Sequence, residues 1–206
     1  MDSRLPGPGR HSGVGSGPRA ARTISAILDA TREIFLKRGY AGTTIDDIAQ
    51  LAGVSRPSFY TYFESKRSAL MALGADSLTG AVEVISALPE VHPEQLQEGL
   101  ANWVAMYFEY LDDYGSLAFA WTQAATEDEE IRVAGQRGHL HMCRQLGVAL
   151  ARLRGSDTEY PAEDGLVVVA MLERAWAYAT LYGPAVDESA IRNSASRWLA
   201  ALACPA

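Results

Sequence analysis

The stretch from Thr43 to Lys66, TTIDDIAQLAGVSRPSFYTYFESK, constrains this chain more than any other, because it spells two short helices joined by a glycine turn. Thr44 stands where a hydroxyl caps a helix start, and Asp47 follows at capping-box spacing with Asp46 beside it, at the end of a helix that favours acids. Ile45, Ile48, Ala49 and Ala52 then fall on one helical face, and Gly53 supplies turn geometry that a side chain would resist. Val54 plugs the corner between the helices. Ser55 is the next cap, and Pro57 lies in a first turn, where its missing N–H breaks no helical bond. Phe59 and Phe63, four apart, point inward.

A helix-turn-helix of this kind serves to push its second helix into the major groove of DNA, with flanking residues on phosphate. Ser55, Arg56, Pro57, Ser58, Tyr60, Thr61 and Tyr62 form the predicted reading surface. Lys66 and Arg67 open the following helix behind Ser65, a start that suits a phosphate. An ordinary helical hairpin with exposed tyrosines is the bland alternative.

The segment from about Ala20 to Leu73 resembles the DNA-binding domain of the TetR family of bacterial transcriptional regulators, and Ser55 to Phe63 resembles its actinobacterial members especially. The resemblance implies that Thr43 and Thr44 touch phosphate, that Ser55 to Ser58 face bases, and that Tyr60, Thr61, Tyr62 and Lys66 line the DNA backbone. Many members carry glycine at the place of Pro57 and histidine at that of Tyr62. The implied fold is all-α, an N-terminal three-helix helix-turn-helix head and a C-terminal helical body for ligand binding and dimerisation. The expected divisions are a disordered tail over 1–18, a DNA-binding domain over 19–65 and the body over 66–206.

At 206 residues the chain has room for both parts. Its net charge of −7 argues against a nucleic-acid partner only until its distribution is read. Residues 1–70 hold ten Lys/Arg against six Asp/Glu, a balance of +4, and residues 71–206 hold eight against nineteen, a balance of −11. The Gly/Pro/Ser/Arg-rich start cannot bury much, so Arg4, Arg10, Arg19 and Arg22 sit on a solvated tail or a DNA-reaching arm. Cys143 and Cys204 are the only cysteines, which suits a reducing cytoplasm. No apolar run of membrane-spanning length and no signal peptide is evident.

The first helix carries Ile24, Ile27, Leu28, Thr31, Ile34 and Phe35 on one stripe and closes at Gly39. The fourth runs from about Lys66 toward Leu88, with Pro89 as its stop. Further breaks are expected near Pro93, Tyr114-Gly115, Gly155-Ser156-Asp157, Pro161 and Gly183-Pro184. Thr126 with Glu129 reads as another capping box.

Trp103, Tyr107 and Tyr110 line one side of a body helix, with Phe119 and Trp121 on a shorter one, and His139, Met142 and Leu146 form a matching stripe. Such stripes are core by default, and their size also suits an apolar ligand cavity. The segment Pro161 to Tyr182 reads as buried all round, with Trp176 in it and Glu173 as its costly interruption. Glu173 orients a ligand or pairs with a base such as Arg174. His139 and Cys143 lie one turn apart without enough further ligands for a metal, and no cofactor motif is evident. The resemblance implies that the last two helices pair with their copies in a homodimer, burial within one subunit being the alternative.

No phosphate loop, nucleophile elbow or metal motif supports an enzyme. The expected function is a cytoplasmic, ligand-responsive repressor that binds a palindromic double-stranded operator as a dimer and is released by a small, mostly apolar effector. A DNA-bound scaffold for a protein partner is the alternative, and a helical carrier with a vestigial head is a third reading.

Overall fold

The computed structural model describes residues 17–88 and 95–203, and every regular element among them is helical. The elements are α1 (Pro18–Arg38), α2 (Ile45–Leu51), α3 (Arg56–Tyr62), α4 (Lys66–Ser86), α5 (Leu96–Ala125), α6 (Glu129–Leu153), α7 (Pro161–Tyr182) and α8 (Glu188–Ala203), with a 3-10 turn at Gly183–Ala185. Apart from Gly17 and Pro18, which open α1, the expected tail with Arg4 and Arg10 lies outside the described residues, as do Pro89, Pro93 and Cys204.

The chain packs as two compact units. One comprises residues up to Ser77 together with Leu117–Gly135, and the other comprises Leu78–Ser116 and the residues from Gln136 onward. The boundary expected at 65/66 thus lies inside the first unit, and α4, α5 and α6 each contribute residues to both.

In the first unit the apolar stripe of α1 (Ile27, Ala30, Ile34, Phe35) meets Ile48 and Ala49 of α2, Phe59 of α3 and Ala69, Leu70 and Leu73 of α4. Leu117, Ala120, Ala124 and Ile131 complete that core. Phe59 and Ile48 are fully buried, as their spacing predicts. Thr31, the one polar member of the α1 stripe, is tolerated because its hydroxyl donates to the Ile27 carbonyl at 2.7 Å.

The second unit is built around Trp103, Tyr107, Phe108 and Leu111 of α5, Met142, Cys143 and Leu146 of α6, and Val168, Val169, Leu172 and Trp176 of α7. Its tightest point is a backbone crossing of α6 and α7. A Cβ on Gly147 would stand 1.8 Å from the Pro161 carbonyl oxygen, and one on Gly165 would stand 1.8 Å from that of Cys143. Only hydrogen fits at either position.

Four expectations change. No break occurs at Tyr114-Gly115, because α5 runs unbroken through it. Gly115 is there for clearance instead: a Cβ would come within 2.6 Å of the Trp176 ring. The cap of α6 is Asp128 rather than Thr126, since Asp128 Oδ1 accepts from the backbone N–H of Glu130 at 3.0 Å and of Ile131 at 3.2 Å. Thr126 turns its hydroxyl to the Gln123 carbonyl at 2.7 Å. α4 is long and apolar enough, by length and composition, to cross a membrane, yet Leu70 and Leu73 enter the first core and Ala81 and Ile85 the second. Lastly, α7 is not buried all round: Val167 is 69% exposed and Leu181 73%, and on α8 Trp198 is 67% exposed.

Alanine in a helix interior ordinarily gains about 1 kcal/mol over glycine. Gly147→Ala should instead destabilise by about 2 kcal/mol, because backbone rather than a movable side chain stands in the way. A thermal melt at or above the wild-type midpoint would contradict this crossing.

Candidate nucleic-acid interface

Thr44 and Asp47 form a full capping box. The Asp47 carboxylate accepts from the Thr44 backbone N–H at 2.9 Å and from its hydroxyl at 2.6 Å, while the Thr44 hydroxyl accepts from the Asp47 N–H at 3.2 Å. The Thr44 hydroxyl, chiefly, holds the Asp47 carboxyl below its ordinary pKa. Gly53, at φ 67°, makes the turn. Ser55 then caps α3, its hydroxyl accepting from the Ser58 N–H at 3.2 Å, and Pro57 sits in the first turn. With Phe59 and Phe63 anchored in the core, α3 leaves Ser55, Arg56, Pro57, Tyr60 and Thr61 exposed and Ser58 and Tyr62 half-buried. One face of a seven-residue helix therefore offers a guanidinium and several hydroxyls outward.

Arg56 is oriented before any partner arrives. Its guanidinium lies 3.4 Å from the Tyr60 hydroxyl and donates to Asp46 of α2 at 2.8 Å, contacts that raise its pKa. The Asp46 pair also ties α3 to α2. More than half of the Arg56 side chain remains exposed, so it is free to meet a base edge or a phosphate.

Two residues assigned to phosphate have internal work. Thr43 is 2% exposed, and its hydroxyl donates to the Gly39 carbonyl at 2.7 Å. The Lys66 ammonium donates to the carbonyls of Tyr40 at 2.7 Å and Thr43 at 3.0 Å, and sits 4.4 Å from the Tyr40 ring centroid. Both fasten the loop between α1 and α2. Ser65 and Ser68 cap the start of α4 reciprocally, at 3.0 and 3.1 Å.

The residues proposed to line a ligand cavity do not all gather. Trp103, Tyr107, Tyr110, His139, Met142, Leu146, Glu173 and Trp176 fall in the second unit, whereas Phe119 and Trp121 fall in the first because α5 is unbroken. Phe119 is 60% exposed. Trp121 is wedged where a Cβ on Gly74 or Gly135 would collide with its ring, and its indole donates to the Ile131 carbonyl at 3.1 Å.

Within the second unit Trp103, Tyr107, Tyr110 and Tyr114 form a ladder along α5, with successive ring centroids 5.4, 5.7 and 5.3 Å apart. Trp176 donates to Asp112 at 2.7 Å, a partner that periodicity does not announce. The Tyr107 hydroxyl is buried without a hydrogen-bond partner among the described residues. Burial raises the Glu173 carboxyl, with Arg174 opposing, and Arg174 itself lies 5.6 Å over the Tyr178 ring. Burial lowers His139 and pushes the Cys143 thiol up to about 11, so both are neutral near pH 7. His139 Nε2 is 3.9 Å from Cys143 Sγ, and no group of three potential metal ligands occurs among the described residues.

An exposed short helix, capped by Ser55 and set behind the Gly53 turn, gives the first unit the arrangement of a helix-turn-helix. Residues 27–73 match the family described as "Bacterial regulatory proteins, tetR family". The match lies within the first unit. The chain is similar to the HTH-type transcriptional regulator EthR of Mycolicibacterium smegmatis, 28% identical over 108 residues, which is 52% of this chain and 50% of the relative. It is also similar to the HTH-type transcriptional repressor DhaR of Mycobacterium sp. (strain GP1), 31% identical over 91 residues, 44% of this chain and 46% of the relative. The matches thus span about half the length of these curated relatives. The transcriptional regulator FadR of Bacillus subtilis, solved in complex with stearoyl-CoA, shares the fold at a TM-score of 0.65 and 18% identity, over 85% of this chain and 97% of that one.

A carboxyl whose folded pKa is raised keeps its full stability below the unfolded value, near 4.5, and loses it as pH rises through the folded value. Glu173→Gln should therefore melt close to wild type at pH 4 and above it at pH 8. Parallel melting curves for the two proteins across that range would show that Glu173 is solvated.

Proposed function

We propose that this protein is a transcriptional repressor that binds a palindromic operator as a homodimer and leaves it when a small, mostly apolar ligand occupies the helical body. The observation that carries the reading is the exposed face of α3, where Arg56 is pre-oriented by Asp46 and Tyr60 while Phe59 and Phe63 lock the helix down. A face of that kind enters a major groove with little rearrangement. In this reading Ser55 to Ser58 meet bases, and Thr44, Tyr60, Thr61 and Tyr62 lie along the backbone.

The dimer is supported by the outer faces of the last two helices. Val167 and Leu181 of α7 and Trp198 and Leu202 of α8 are all more than half exposed, a density of apolar surface that water disfavours. An open apolar groove of about 520 Å³, lined by Met171, Ala175, Val186, Ile191 and Trp198 among others, continues that surface. Two-fold pairing there would give two reading helices for two half-sites, roughly 34–36 Å apart along the duplex.

The ligand reading is supported by the aromatic ladder of α5 with Met142, Leu146 and Trp176, and by two polar groups among them, the unpartnered Tyr107 hydroxyl and the desolvated Glu173. The relative from Bacillus subtilis, of the same fold, is known with stearoyl-CoA bound. A ligand that favours one body conformation lowers operator affinity by the ratio of its affinities for the two states, and operator lowers ligand affinity by the same factor. Phe119 and Trp121 have no part in this set.

The test is selection of DNA fragments by the purified protein from random and own-genome pools at two salt concentrations. A two-fold symmetric sequence that survives the higher salt is expected; recovery of salt-sensitive, unrelated fragments alone would reject specific binding. On the selected site, Arg56→Ala and Ser58→Ala should each cost about 1–3 kcal/mol and relax preference at particular positions. Val167→Asp with Leu181→Asp should yield a folded monomer that binds a full site no better than a half-site. A dimer persisting in that double variant would place the interface elsewhere.

A further inference from the structure

The geometry points to Gln123, near the end of α5, as a positioning residue for the DNA-reading surface, acting through the loop that joins α1 to α2. Its side-chain amide oxygen accepts the backbone N–H of Tyr40 at 2.8 Å, across 83 residues of sequence. Gly39 makes the approach possible: it holds φ at 71°, and a Cβ there would lie 2.1 Å from Gln123 Oε1. The positive φ and the close contact both exclude a side chain, so loop and glutamine are fitted to each other.

Several other polar groups of the loop are tied down as well. Gly39 N–H returns to the Phe35 carbonyl at 2.9 Å, and the Gly39 carbonyl takes the Thr43 hydroxyl at 2.7 Å. The Tyr40 carbonyl accepts from the Lys66 ammonium at 2.7 Å, and the Thr43 carbonyl from the same ammonium at 3.0 Å. The Tyr40 ring is 7% exposed and meets Phe35 edge-on at 5.4 Å. Tyr40 is therefore held by its N–H from α5, by its carbonyl from α4 and by its ring from α1.

The loop ends at Thr44, the cap of α2, and α2 supplies Asp46, which holds Arg56 on the reading helix. The Gln123–Tyr40 bond is thus joined, through the chain from Tyr40 to α2, to the Asp46–Arg56 pair. Without the Gln123 oxygen the Tyr40 N–H has lost the partner that fixes the loop. The head then has to order that loop when it meets DNA, and affinity falls while the side chains that read bases are unchanged.

The proposal rests on the DNA-binding reading above, and its test separates the two. Gln123→Met keeps length and volume but removes the acceptor; Gln123→Glu keeps an acceptor. In the full-length protein, Gln123→Met is expected to weaken binding to the selected site by about tenfold, the scale of one unpaired donor, with the same base preference and the same salt slope. Gln123→Glu is expected to bind as wild type once salt screens its added charge. Hydrogen exchange at the Tyr40 amide, measured without DNA, should be slow in wild type and Gln123→Glu and fast in Gln123→Met.

Wild-type affinity in Gln123→Met overturns the proposal, and so does rapid Tyr40 exchange in the wild-type protein, a measurement that needs no variant to fold. If wild-type protein selects no DNA while Tyr40 exchange follows the expected order, the contact stands and the DNA-binding reading fails, and with it the role given to Gln123.

Discussion

The head depends on a core that its own first four helices do not close. Ile27, Phe35, Ile48, Phe59 and Leu73 converge from α1 to α4, and the remaining side is filled by Leu117, Ala120 and Ala124 of α5 and Ile131 of α6. Burying those apolar groups, at about 25 cal/mol per Å² removed from water, is the main force that holds so small a set of helices together. The polar contacts follow the same seam. Trp121 is wedged against Gly74 and Gly135, Gln123 holds Tyr40, and Arg67 reaches Asp128 at 3.3 Å and Glu130 at 3.1 Å. The Arg67 pairs are partly exposed and contribute little by themselves; they orient a joint whose strength comes from packing.

The exposed face of α3 is downstream of that packing. α3 is too short to be stable alone, and it stands because Phe59 and Phe63 are sunk in the core while Ser55 and Pro57 shape its first turn. Arg56 can then be aimed by groups on α2 and α3. The second unit solves a different problem. Its glycines at 147 and 165 let two helices meet backbone to backbone, its two buried indoles each find an acceptor (Val84 for Trp103, Asp112 for Trp176), and the Tyr107 hydroxyl is buried without a partner among the described residues.

Signals carried within a few residues were legible in the sequence. The Thr44–Asp47 box, the Ser55 cap, the turn at Gly53, the inward pair Phe59 and Phe63 and the α1 stripe all follow from spacing along a helix. What spacing cannot report is a partner far along the chain. Gly115 reads as a break and is a clearance for Trp176, and the two demands leave the same mark on the sequence. Gln123 looks like any exposed polar residue until Tyr40 is beside it. Lys66 and Thr43 resemble phosphate ligands by motif position, but the carbonyls of a loop upstream claim them first. The uniform apolarity of α7 signals burial without saying by what, and Val167 and Leu181 are open within one chain.

Residues 117–135 pack as part of the unit that holds the helix-turn-helix, although the sequence assigns them to the body. Native-state hydrogen exchange on the intact protein measures this directly, because groups in one cooperative unit open with a common free energy. The amides of Ala124 and Ile131 should open together with those of Ile48 and Phe59, and apart from those of Leu146 and Leu172. Opening of Ala124 and Ile131 in step with Leu146 and Leu172, while Ile48 and Phe59 open independently, would contradict it.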